Sequence, residues 1–218
     1  MAAEIERMKR KNAGFSIPLP EGRCWLWLLG ANVAIFALQV LAAFGGLEDK
    51  IIQLFAFTPA TALSQPWVFV TAMFLHGGIV HILFNMFALF MFGPLVERRM
   101  GSRNFLFLYF ASGILGSVFY LATSWGSAVP ALGASGAIYG ILGALAMLEP
   151  NLPIYFMFVP MPMWLASIAW VFIEFTSSFA PSDIANWAHL GGLAFGFAYG
   201  YFLRRQATQF IEDYDYYE

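Results

Sequence analysis

Long apolar runs broken by short polar stretches fill most of this chain. A helix needs about 20 apolar residues to cross the hydrocarbon core of a bilayer. Six runs of that kind stand out, at 24–44, 79–97, 104–124, 134–149, 163–179 and 188–203. The stretch 45–78 between the first two contains "IIQLFAFTPATALSQPWVFVTAMFLHGG", which is too apolar for a free aqueous loop. Pro59 and Pro66 interrupt it, so it is expected to lie in the membrane interface as short helices. A seventh, broken span is the alternative. The pattern predicts an all-α polytopic membrane protein: a six-transmembrane-helix bundle with a long interfacial first loop.

Composition agrees with that class. Hydrophobic residues make up 60% of the 218 and charged residues 11%, against about 25% charged in an ordinary soluble domain. The net charge of −2 comes with no basic stripe, so nucleic acid is not an expected partner. Cys24 is the single cysteine, which leaves neither a disulfide framework nor a thiolate metal site. The polar start "MAAEIERMKRKNAGFSIPLPEGR" lacks the apolar core and cleavage site of a signal peptide.

The distribution of charge then sets an orientation. Arg7, Lys9, Arg10, Lys11, Arg23, Arg98, Arg99, Arg103, Arg204 and Arg205 are ten of the eleven basic residues, with Lys50 the exception. Six spans put all ten on one side, which the positive-inside rule makes cytoplasmic. An odd number would place either the N-terminal cluster or the Arg204–Arg205 pair outside. The expected organisation is a cytoplasmic segment 1–23, a membrane domain 24–205 and an acidic cytoplasmic tail 206–218. On this reading the second, fourth and sixth spans all run inward. His76, His81 and His189, which are all the histidines, then share one leaflet with Ser135.

That grouping carries the candidate chemistry. Ser135 stands between glycines in "ALGASGAIYGILG", and His189 opens "AHLGGLAFGFAYG". A hydroxyl is a poor nucleophile until a base takes its proton, and histidine is the usual base near neutral pH. Gly136–Gly140 and Gly192–Gly196–Gly200 have the small-xxx-small spacing that lets membrane helices approach, and close approach would join the two groups. Plainer roles remain open. A membrane serine ordinarily bonds a carbonyl of its own helix, and an interfacial histidine ordinarily packs or anchors. Three histidines could also bind a metal, but Asp183 is the only acid near the last span.

"HGGIVHILFN" places His81 and Asn85 four residues apart, on one helix face. Polar groups inside an apolar span are costly and tend to be functional. Acyl transfer needs donors for an oxyanion, and His81, the Asn85 amide and the Ser135 N–H at a helix start are candidates. Asn85 as interhelical glue is the alternative. Tyr139, one turn beyond Ser135, could support the His189 ring by stacking. Glu97, beside Arg98 and Arg99, reads as structural pairing. Glu174, within the fifth span, is either protonated or bonded to a neighbouring helix, and it has no assigned role.

Four motifs, "PWVFVTAMFLHGGIVHILFNM", "FGPLVERRMG", "GASGAIYG" and "AHLGGLAFG", resemble those of the rhomboid intramembrane serine proteases, in particular the bacterial and archaeal six-helix members. They span 66–200 in the family's order and spacing. The resemblance implies a Ser–His dyad rather than a triad, with Ser135 as nucleophile and His189 as base. It implies that His81 and Asn85 help form the oxyanion hole and that Tyr139 stacks on His189. It also implies a structural role for the Gly93, Glu97 and Gly101 segment. Gly133, Gly136, Gly192 and His76 are expected to support the site. One departure is Val68, where many members carry arginine, and that puts the stability of the first loop in doubt.

The expected function is therefore an intramembrane serine endopeptidase that hydrolyses peptide bonds in or near transmembrane segments of protein substrates in the lipid bilayer, needing neither metal nor cofactor. The expected location is the plasma membrane of a prokaryote, with the site opening to the extracellular side. A substrate helix must unwind to be cut, so Gly or Pro near the cut should favour cleavage, and the resemblance suggests a small P1 residue. Two rivals stand beside this reading. One is a catalytically inactive rhomboid-like protein that binds client transmembrane helices. The other is a small transporter or metal-binding membrane protein.

Overall fold

The computed structural model describes residues 22–156, 158–179 and 185–215. Expectations for most of the N-terminal segment, for Asp183 and for 216–218 lie outside the described residues. The fold is mostly helical. It contains α1 (Cys24–Phe44), α2 (Glu48–Phe55), α3 (Val68–Thr71), α4 (Ile79–Thr123), α5 (Ser135–Leu148), α6 (Met163–Ser177) and α7 (Asn186–Asp215). Among the described residues, α1 and α4 are long and apolar enough to cross a membrane by length and composition, and α5 and α6 are shorter apolar helices.

α4 covers both the second and third expected spans. Its 45 residues are divided at Gly101, whose φ of 79° and ψ of 157° interrupt the helix; glycine takes such a conformation without a side-chain clash. The charged stretch 98–103 is thus a sharp joint rather than a loop. α7 continues past the expected end at 203 to Asp215. A two-stranded antiparallel hairpin, β1 (Pro153–Phe156) and β2 (Val159–Pro162), occupies the connection from α5 to α6. It was not expected from the sequence.

Glu97 anchors the start of α1. Its carboxylate accepts the Cys24 and Trp25 N–H groups, each at 3.0 Å, and the Ser102 hydroxyl at 2.6 Å. A helix N-terminus has unpaired N–H donors and partial positive charge, so a buried carboxylate there is well matched. The structural pairing read from the sequence is therefore with a helix end and not with the neighbouring arginines. Arg98 bonds the Pro94 carbonyl, and Arg99 pairs with Glu149 at 2.5 Å. Gly93 lets α1 close in, since a Cβ there would come within 2.9 Å of the Trp25 Cβ.

The stretch between α1 and α4 folds back on itself. Trp67 Nε1 donates to the Leu54 carbonyl and the Thr71 hydroxyl to that of Phe55. Val68 is fully buried with Phe57, Ala62, Ala72, Tyr120 and Leu121 in a small cluster separate from the main core. A valine here fills an apolar interior, which answers the doubt its presence raised. Phe57 and Ala131 pair through both backbone bonds, and the Gly133 N–H donates to Ala72. The first loop thereby pins the segment that leads into Ser135.

Candidate functional site

Ser135 is the first residue of α5, and His189 lies in the first turn of α7. Small residues bring these two helices together. A Cβ on Gly192 would run into the Gly136 backbone, one on Gly196 into the Gly140 backbone, and one on Gly200 would sit 2.8 Å from the Ala144 Cα. α4 joins the same contact, because a Cβ on Gly116 would lie 2.6 Å from the Ala188 carbonyl. Backbones this close gain dispersion contacts that lipid tails do not match. They also fix the two helix starts relative to each other.

The result at the helix starts is a hydrogen bond of 2.7 Å between His189 Nε2 and Ser135 Oγ. The Tyr139 ring stacks on the His189 ring, with centroids 4.5 Å apart and planes 12° apart. His189 is buried, while Ser135 and Tyr139 are half-buried. The serine hydroxyl therefore faces an imidazole whose plane is held by an aromatic neighbour.

His81 approaches from α4. Its Nδ1 accepts the Gly77 N–H at 3.2 Å, which leaves Nε2 as the protonated nitrogen of a neutral ring. Gly133 has φ of 128°, and a Cβ built on it would lie 2.8 Å from His81 Nε2 and 3.7 Å from Ser135 Oγ. His81 Nε2 and Ser135 Oγ thus flank one point, and that point is empty because residue 133 is glycine. Asn85 is buried, but its amide donates to the His81 carbonyl one turn back, at 2.9 Å. Its remaining N–H and a side-chain rotation are what it has to offer a ligand.

His76 is fully buried with its ring edge-on to His81, centroids 5.2 Å apart, and neither ring nitrogen has a hydrogen-bond partner. Burial, helped by the nearby His81, pushes its pKa down to about 4, so it is neutral at physiological pH. Gln39 clamps its backbone from α1, donating to the His76 carbonyl at 2.8 Å and accepting its N–H at 3.1 Å. The His76 and His81 rings thus lie side by side, while His189 reaches Ser135 from α7. Among the described residues, no three of His, Cys, Asp and Glu gather in a metal-holding group.

Glu174 has no role assigned from the sequence. The structure places it on α6 with its carboxylate against both His189 and Tyr139. The sequence did carry a signal: an acid within an apolar run must find a partner.

Residues 63–206 match the family model described as Rhomboid domain. The chain is 37% identical over 176 residues to Rhomboid protease GluP of Bacillus subtilis, covering 78% of this chain and 31% of that protein. It is 32% identical over 187 residues to Rhomboid protein 1, mitochondrial, of Saccharomyces cerevisiae, covering 82% and 52%. It is 36% identical over 171 residues to the Putative rhomboid protease YdcA of Bacillus subtilis, covering 75% and 83%. This chain thus spans about a third of the first of these relatives and about half of the second.

Proposed function

Because the chain belongs to the rhomboid family of integral membrane proteins, we propose that it is a six-span intramembrane serine endopeptidase with Ser135 as nucleophile and His189 as general base. The observation that carries this is the 2.7 Å hydrogen bond between Ser135 Oγ and His189 Nε2. Support also comes from relatives named as rhomboid proteases. As Ser135 Oγ attacks a peptide carbonyl, its proton passes to Nε2, and the resulting imidazolium later protonates the leaving amine. The Ser135 N–H at the start of α5, His81 Nε2 and the Asn85 amide are the donors available for the oxyanion. Gly133 leaves room for that oxygen between His81 and Ser135.

The six spans are α1, the two limbs of α4 on either side of Gly101, α5, α6 and α7. With six spans, the positive-inside rule puts ten basic residues on the cytoplasmic side, and the site then opens to the outside. The membrane domain covers 24–205, flanked by cytoplasmic segments 1–23 and 206–218. The bacterial relatives favour a prokaryotic plasma membrane, although two relatives are named as mitochondrial. The substrates are transmembrane proteins whose helices unwind at the cut, so Gly or Pro near the scissile bond and a small P1 residue favour cleavage.

Purified wild type and Ser135→Ala, each in liposomes with a panel of single-span substrates, provide the test. Wild type is expected to cleave at least one substrate, with Ser135→Ala slower by about 10³-fold or more. Equal cleavage by the variant would remove Ser135 from its role.

A further inference from the structure

Apolar side chains cover most of α6, among them Leu165, Ile168, Val171, Phe172, Ile173 and Phe175, all exposed. Glu174 is the one ionisable side chain of this helix, and it is 7% exposed. Its Oε2 lies 2.9 Å from His189 Nδ1, and its Oε1 accepts the Tyr139 hydroxyl. A buried carboxylate is costly unless it is paired and hydrogen-bonded, and both of its oxygens are paired here. The partners are the imidazole that faces Ser135 and the tyrosine stacked on that imidazole.

Ser135 Oγ, the two nitrogens of His189 and the Glu174 carboxylate therefore form one continuous hydrogen-bonded line. The line fixes the proton positions. For Nε2 to accept the serine proton, a neutral imidazole must carry its hydrogen on Nδ1, and that hydrogen points at Glu174 Oε2. The Tyr139 hydroxyl, donating to Oε1, stops the carboxylate from rotating away. Stacking alone holds the ring plane but leaves open which nitrogen carries the proton. The carboxylate selects one.

Building on the Ser135–His189 reading, we propose that Glu174 is a positioning residue that turns the pair into a Ser–His–Glu triad. It sets the His189 tautomer and stabilises the imidazolium formed when Ser135 attacks. The serine Oγ bonds to the carbonyl carbon, its proton moves to Nε2, and the carbonyl π electrons move to oxygen. When the tetrahedral species collapses, the C–N bond breaks and the Nε2 proton leaves on the amine. Glu174 remains ionised throughout, and the Nδ1 proton stays on the ring. The family resemblance predicts a dyad, and the Glu174 contacts add a third member to it in this chain.

Glu174→Gln, in liposomes beside wild type and Ser135→Ala, tests this. Glutamine keeps the shape and two hydrogen-bonding positions but removes the charge. A triad predicts a kcat fall of about tenfold or more, with KM and melting temperature close to wild type. A carboxylate that merely fastens α6 predicts a lower melting temperature and a kcat reduced by less than about tenfold in the folded fraction, and that result overturns the proposal. Should Glu174→Gln fail to fold, 15N spectra of ring-labelled wild type decide, since only three histidines contribute. The proposal expects His189 to carry its proton on Nδ1, and a neutral ring protonated on Nε2 overturns it. Full activity of Ser135→Ala would instead overturn the underlying Ser–His reading, so the two failures are distinct.

Discussion

Where α5 meets α7 the contact is backbone on backbone, with Gly192, Gly196 and Gly200 each occupying a place where a Cβ would collide. Where α6 meets the same two helices, the buried positions are few: Met163, Ala166, Ser167 and Glu174. Lipid tails are as apolar as leucine, so apolar area by itself does not drive helices together in a bilayer. The first contact solves that with shape and the second with a carboxylate. Shape holds Ser135 and His189 in register whatever their protonation state. The carboxylate contact reaches His189 and Tyr139 directly, and so ties the attachment of α6 to the candidate site.

The largest effect is expected from breaking the shape-based contact. Gly196→Val puts a branched side chain against the Gly140 backbone, where no flexible side chain can yield. Overpacking of a well-packed core costs about 1–3 kcal/mol, and this site belongs at the upper end. Thermal unfolding in detergent should show a large drop in melting temperature, together with loss of all cleavage. An unchanged melting temperature would mean that the close approach contributes little. By comparison, Glu174→Gln should leave the fold nearly intact and act on turnover.

A smaller effect separates positioning from oxyanion donation on α4. His81→Ala and Asn85→Ala each remove one candidate donor while leaving the α5–α7 contact untouched. Loss of a donor used only in the transition state typically costs about 10²–10³ in rate, with KM little changed. Asn85 bonds its own helix in the resting structure, so its variant should fall at the low end of that range and His81→Ala at the high end. Normal kcat in a destabilised protein would make both residues structural glue.

Much of this arrangement was legible in the sequence, for identifiable reasons. Helical runs follow from length and hydropathy, and the α5–α7 contact follows from glycines spaced four apart beside the serine and the histidine. The partners of Glu174 were not legible. α6 is apolar nearly all round, so its pattern does not fix which face turns inward, and an acid's partner on another helix depends on that rotation. The Phe57–Ala131 bridge and the β1–β2 hairpin were missed because pairings through backbone groups leave little periodic trace. Gly101 was visible as part of a motif. That it sharply divides one long helix, instead of opening a loop, depends on its φ of 79°.

The central claim is that Ser135 is a nucleophile activated by His189, and covalent capture tests it most directly. Wild type, Ser135→Ala and His189→Ala would be treated with a fluorophosphonate and the adduct located by peptide mass spectrometry. Melting temperatures would confirm that each variant is folded. The account predicts a single phosphonylated residue, Ser135, in wild type and no labelling of either variant. Labelling of folded His189→Ala at the wild-type rate, or an adduct on another residue, would contradict it.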